Sequence, residues 1–181
     1  MSNTKTFTRI FTIADYEEEE NWFREQSRKG LHLQKMIQPF LYIFEVGEPE
    51  DVIYRLDYRN DRGDQDYTQM FADYGWECCG RCFGWIYFRK PASTVTCEEE
   101  GELFSDSESR LSMVQHVMMT RMLPLLVVFL CILIPQWMNI MDRPGEGVLE
   151  IIFTVLMVLY VILILHCGRK LYRLRKKLKK F

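Results

Sequence analysis

Histidine is scarce in this chain: three among 181 residues, His32, His116 and His166, each in a different region. No two have ligand spacing, and none sits beside a Cys or Ser in a motif. The pattern therefore offers neither a metal centre nor a nucleophile with its base. A glycine-rich phosphate loop and a dinucleotide fingerprint are also missing. No cofactor, metal or catalytic residue is expected, and the chain is not read as an enzyme. The N-terminal MSNTKTFTRIF has no basic stretch leading into an apolar one, so no secretory leader is expected. The six cysteines should then be reduced thiols rather than a disulfide framework.

Formal charge is missing from two long stretches. Residues 122–140 (MLPLLVVFLCILIPQWMNI) carry none, and neither does the run after Glu150 up to residue 167. Each is long enough to cross a bilayer core. An amphipathic stripe of a buried soluble helix would interleave polar positions, and these runs do not. Residues 122–140 and 148–167 are therefore read as transmembrane helices joined by an extracytoplasmic turn at 141–147. Pro124 falls in a first turn, where a missing N–H costs little. Pro135 lies deeper and is expected to kink or end its helix. The mean hydropathy of −0.14 and the net charge of −2 average a polar, acidic first part with an apolar, basic second part and describe neither.

Lys and Arg sit on one side of this hairpin. Residues 168–181 hold Arg169, Lys170, Arg173, Arg175, Lys176, Lys177, Lys179 and Lys180, whereas the turn offers only Arg143. That asymmetry predicts a cell-membrane protein with both termini cytoplasmic. Leu171, Leu174 and Leu178 are spaced by three and four, so the tail reads as an amphipathic helix. It is expected to continue the second span along the anionic lipid of the inner leaflet. A basic tail next to a span favours lipid over nucleic acid, and no nucleic-acid partner is expected.

Residues 1–91 read as a cytoplasmic α+β domain with an internal repeat. TFTRIFTIAD can be laid on VIYRLDYRND, placing Arg9 over Arg55, and Gly30 lies over Gly75. Each half reads strand, helix, strand, strand. Val52, Tyr54, Leu56 and Tyr58 alternate with Ile53, Arg55, Asp57 and Arg59, the period of a strand. Asp15 with Glu18 suggests a capping box opening the first helix. Tyr67, Met70, Phe71 and Tyr74 form an apolar stripe on the second, with Asp64 or Asp66 as its cap. Gly30 and Gly75 stand where glycines stop helices. The expected fold is a duplicated strand-helix-strand-strand sandwich: one antiparallel sheet with both helices on one face, followed by the transmembrane hairpin. Residues 92–107 are acidic and read as a linker, and 108–121 as a juxtamembrane helix that lies at the interface or runs into the first span.

Three groups of residues compete for a chemical role. Cys78-Cys79-Gly80-Arg81-Cys82 contains a C-x-x-C, but on a strand, without a second pair or a nearby His; small core residues are the simpler account. Glu17–Glu20 reads as a solvated helix face rather than a metal site. Arg9 and Arg55 could flank an anionic ligand in a cleft lined by Tyr42, Phe44, Trp85, Tyr87 and Phe88. The alternative for each arginine is a salt bridge to a facing carboxylate.

The segments FTRIFTIADYEEEENWFREQSRKG, PEDVIYRLDYR, IYFRKPAS and FSDSESRLSM, together with the two spans, resemble the bacterial domain-of-unknown-function family numbered 2812. The resemblance runs from Phe7 through the second span. It implies a bacterial membrane protein in a regulatory setting and supplies no catalytic residues. The resulting expectation is a membrane-anchored sensor or interaction module for a small molecule or protein partner. The alternative is an accessory subunit of a transporter or envelope complex.

Overall fold

The structure, a computed structural model, describes residues 3–37, 40–59, 65–104, 107–141 and 147–178. It divides into two compact units, Met1–Ser109 and Arg110–Phe181.

The first unit is α+β. Its elements are β1 (Thr4–Thr8), α1 (Tyr16–Ser27), β2 (Leu31–Ile37), β3 (Leu41–Val46), β4 (Val52–Tyr58), α2 (Gln65–Asp73), β5 (Glu77–Cys82) and β6 (Trp85–Pro91). The strands form two antiparallel three-stranded sheets, ordered β1-β3-β2 and β4-β6-β5. The single sheet expected from the sequence is thus divided in two. β2 and β5 run side by side where the sheets meet. Each breaks register there, between Leu33 and Lys35 in β2 and between Cys78 and Gly80 in β5. A bulge interrupts the regular ladder and bends its strand. At the β2 bulge the Leu33 N–H donates to the Tyr54 hydroxyl at 3.4 Å.

The helices do not share a face. Tyr87 and Phe88 are neighbours on β6, so they point to opposite sides of the sheet. Phe23 of α1 packs on Tyr54 and Tyr87, with ring centroids 5.4 and 6.0 Å away, and also on Tyr42 of β3. Phe71 of α2 packs on Phe88 at 4.9 Å. The β4-β6-β5 sheet is therefore covered on both faces, which is why β4 is buried almost throughout instead of alternating. Burying each such aromatic contributes roughly 1.5–3 kcal/mol.

Helix α1 also closes an edge. The Leu56 N–H on the outer side of β4 donates to Glu20 Oε1 at 2.7 Å, and the Val52 N–H donates to Ser27 Oγ at 3.2 Å. An unpaired strand edge invites association, and here helix side chains occupy it. Asp15 is the residue preceding α1, but it makes no side-chain cap. Its carboxylate accepts instead from Thr12 N–H and Oγ1 at 2.8 and 2.6 Å. The capping box gives way to a local turn. Asp66 lies inside the first turn of α2 rather than at its cap, and Asp64 lies outside the described residues. Gly30 and Gly75 follow the two helices with φ of 75° and 82°, the left-handed backbone that favours glycine.

The second unit is helical. α3 (Ser107–Val117), α4 (Leu123–Val128) and α5 (Ile134–Met141) follow one another, joined by π-helical turns at Met118–Met122 and Phe129–Leu133. A proline clashes with the carbonyl four residues earlier. For Pro124 and Pro135 those residues are Thr120 and Cys131, each inside one of the wide turns. The helix absorbs Pro135 in this way instead of ending there. α6 (Gly147–Leu178) returns antiparallel. Phe129 and Tyr160 stack at 5.6 Å, and the Tyr160 hydroxyl donates to the Leu125 carbonyl at 3.0 Å. Two helices, Glu108–Ile140 and Glu150–Lys176, are long and apolar enough to cross a membrane.

The tail residues up to Leu178 continue α6. Leu171 and Leu174 are buried within the protein, as are Val114 and Val117. These leucines are therefore not an open apolar face. Lys179 and Lys180 lie outside the described residues.

Candidate functional site

Residues 92–104 decide where the open site lies. Two short 3-10 turns, Ala92–Thr94 and Glu98–Gly101, fold this acidic segment back onto the first unit. Ala92, Val95 and Leu103 pack against a cluster of Ile53, Phe71, Trp76, Ile86 and Phe88. Arg55 fixes the far end: its Nε and Nη2 donate to Glu102 at 3.0 and 2.8 Å, and Glu20 lies 3.6 Å from its Nη1. A paired fork of this kind is the strongest ordinary form of ion pair. Over residues 92–104, the segment read from its composition as a linker is docked as a strap on the first unit.

Between α2 and this strap lies a half-open groove of about 760 Å³. Its apolar side comes from Tyr67, Met70 and Phe71 of α2 and Tyr74 just after it, with Trp76 and, across from them, Leu103 and Phe104. Phe71 points inward and is buried, whereas Met70 is 46% exposed and Tyr74, past the end of the helix, 71%. The polar side holds Lys90, Glu99, Glu100 and Glu102. Lys90 Nζ donates to the carbonyls of Tyr74 and Glu100 at 3.0 and 3.3 Å and lies 5.7 Å from the Trp76 ring. Glu100 accepts from the N–H and hydroxyl of Thr96, both at 2.8 Å, and these hydrogen bonds hold its carboxyl below the ordinary range.

The residues singled out from the sequence do not form one cleft. Tyr42, Phe44 and Tyr87 are core side chains, at most 1% exposed. Trp85 stacks on Tyr16 in the same buried layer. Arg55 is on the other face of its sheet, in the salt bridge to Glu102. Arg9 follows β1 and lies over the rings of Phe11 and Trp22, 4.9 and 5.2 Å from their centroids. The two arginines also stand differently on their strands: Arg9 directly follows β1 and its N–H donates to the Phe40 carbonyl, as the Arg59 N–H directly after β4 donates to Gly84, whereas Arg55 lies inside β4. Arg59 in turn lies over Tyr67, at 4.0 Å.

Two of the acidic residues taken for a solvated face are buried. Glu19 and Glu20 are 5% and 9% exposed. Glu19 Oε1 accepts from the hydroxyls of Tyr42 and Tyr87 at 3.0 and 3.3 Å. Burial pushes its carboxyl up to about 7 against the opposing effect of those two hydrogen bonds. The burial of Glu19 and Glu20 could not be read from a run of four glutamates. The groove had a signal: Tyr67, Met70, Phe71 and Tyr74 supply more apolar surface than one buried stripe needs.

In the cysteine cluster, Cys78 is exposed and all three thiols are free. Burial raises the Cys79 thiol to about 12, which disfavours the thiolate that redox or metal chemistry uses. Among the described residues no group of three His, Cys, Asp or Glu is placed to hold a metal. Of the basic residues, Arg169, Lys170, Arg173, Arg175 and Lys176 lie on α6.

A family model described as protein of unknown function (DUF2812) matches residues 15–128. No curated protein and no solved structure matches the chain.

Proposed function

The chain belongs to the DUF2812 family of proteins of unknown function, and on that premise we propose that it is a membrane-tethered binding module whose recognition site is the groove between α2 and the strap. The observation that carries this reading is the groove itself. It has the size of a small-molecule site, a mostly aromatic wall and a few convergent polar groups. Its lysine is already held by two carbonyls, which suits recognition better than turnover.

The anchor is the hairpin of Glu108–Ile140 and Glu150–Lys176. Its side chains are largely uncovered, with Leu130, Ile151 and Leu159 more than half exposed. Apolar surface on that scale calls for lipid. The Lys/Arg excess of residues 168–181 supports cytoplasmic termini, and with them a cytoplasmic first unit. The same charges, carried on α6, favour the anionic inner leaflet as neighbour.

The first unit is best read as two copies of one strand-helix-strand-strand element. Both sheets have the same strand order, both bulges fall three residues after a left-handed glycine, and both halves lay an arginine over an aromatic ring of the following helix. In this reading the first copy's helix serves the shared core, and the second copy's helix forms the groove.

Capture experiments on the full-length chain, extracted in detergent, test the proposal. A small molecule or protein should co-purify with the wild type and be lost from a Met70→Ala/Tyr74→Ala double variant. Equal recovery from both, or recovery from neither, would reject the groove as the recognition site.

A further inference from the structure

We infer that the groove takes an organic cation carrying an aromatic or branched apolar group, an assignment that rests on the binding-module reading above. Three carboxylates and one ammonium line the groove. The ammonium is a poor target for an incoming anion, because Lys90 is only 7% exposed and its Nζ already directs two of its three N–H donors at the Tyr74 and Glu100 carbonyls. Its position beside the Trp76 ring shows the kind of environment the floor provides: carbonyl oxygens and an aromatic face, both of which solvate positive charge. Glu102 is compensated by Arg55. Glu99 makes no ion pair among the described residues, so a negative potential remains at the rim.

The aromatic side favours the same class. Tyr74 is 71% exposed and borders the groove together with Met70. An electron-rich ring and a polarisable thioether are good partners for a soft cation such as a quaternary ammonium. A hydrophilic anion would meet the carboxylates of Glu99 and Glu100, and a neutral apolar molecule would leave them without a counter-charge. A cation with an apolar body satisfies both sides.

The test uses full-length protein in neutral detergent and three probes: benzyltrimethylammonium, benzenesulfonate and benzyl alcohol. Binding is followed by saturation-transfer NMR and calorimetry. Benzyltrimethylammonium should bind at least tenfold more tightly than either other probe. Tyr74→Ala should weaken it about tenfold, and Glu99→Gln by several-fold with a shallower salt dependence. Both substituted side chains are at the surface, so the fold provides no reason for these variants to unfold. Preferred binding of benzenesulfonate or benzyl alcohol, still sensitive to Tyr74→Ala, would overturn the cation assignment while keeping the groove as a site. Binding of benzyltrimethylammonium unaffected by either substitution would overturn the assignment as well. If no probe binds and the Met70→Ala/Tyr74→Ala variant captures the same molecules as wild type, both readings fail together.

Discussion

Glu19 and Tyr42 meet at 3.0 Å in the core of the first unit, a carboxyl from α1 beneath a phenol from β3. Tyr87 of the other sheet donates to the same oxygen. One acidic group thereby links α1 to both sheets, and burial holds it at about 7. Unfolded, it returns to about 4.5. Between these values the folded chain holds a proton that the unfolded chain has released. Stability from this group is therefore full below about 4.5 and is lost as pH rises through 7. The change is on the order of 3 kcal/mol. Denaturant melts between pH 5 and pH 8 should show it, and Glu19→Gln should flatten the slope. An unaltered slope in that variant would assign the pH dependence elsewhere.

Edge closure by α1 gives a second expectation. Glu20→Ala removes the acceptor of the buried Leu56 N–H. A stranded buried donor costs about 1–3 kcal/mol, so the midpoint of unfolding should fall accordingly. Hydrogen exchange at Leu56 should accelerate first.

The strap depends on Arg55. Its guanidinium is about one-fifth exposed and the Glu102 carboxylate about a third, so solvent moderates the pair. Arg55→Ala should cost about 1–2 kcal/mol, and limited proteolysis should find new cuts within residues 92–104. Loss of the strap would also remove one wall of the groove, so probe binding should weaken in parallel.

Two glycines that each follow a helix should respond unequally. Both have left-handed backbone, but a Cβ at Gly30 would come 2.5 Å from the Gly47 carbonyl oxygen, whereas at Gly75 the nearest atom is Lys90 Cε at 3.5 Å. Gly75→Ala should cost about 1 kcal/mol from backbone strain. Gly30→Ala should cost more than about 2 kcal/mol, because a backbone oxygen must also move. Thermal unfolding of the two variants checks the order.

Membrane topology can be read from Cys97, which is exposed. In cells, with the other five cysteines replaced, an impermeant maleimide should label it only after the membrane is opened. Labelling of intact cells would reverse the proposed orientation.

Local patterns in the sequence anticipated the elements well. The period-two run at Val52–Tyr58 is β4, the stripe at Tyr67–Tyr74 marks α2, and Gly30 and Gly75 follow their helices, because each signal arises from backbone geometry within a few residues. The apolar runs were equally legible, since an uncharged stretch of that length has few alternatives. Partner choice was not legible. Laying Arg9 on Arg55 followed residue identity, but Arg9 directly follows β1 while Arg55 lies inside β4. Glu17–Glu20 is uniform in sequence, and only the packing of α1 between the sheets separates the buried Glu19 and Glu20 from their neighbours. Acidic composition suggested a linker at 92–107. Val95, Leu103 and the Glu102 carboxylate were enough to dock most of it, once Arg55 and an apolar sheet face were there to receive them.

By itself, then, the sequence determined the succession of strands and helices, the two apolar helices and the placement of basic charge after the second, all properties of near neighbours along the chain. Only the tertiary structure decided that there are two sheets, that α1 and α2 cover opposite faces of one of them, and that α2 and the strap leave a groove. Those depend on which surfaces meet across dozens of residues, and burial and ion pairing settle that choice after the local geometry is already in place.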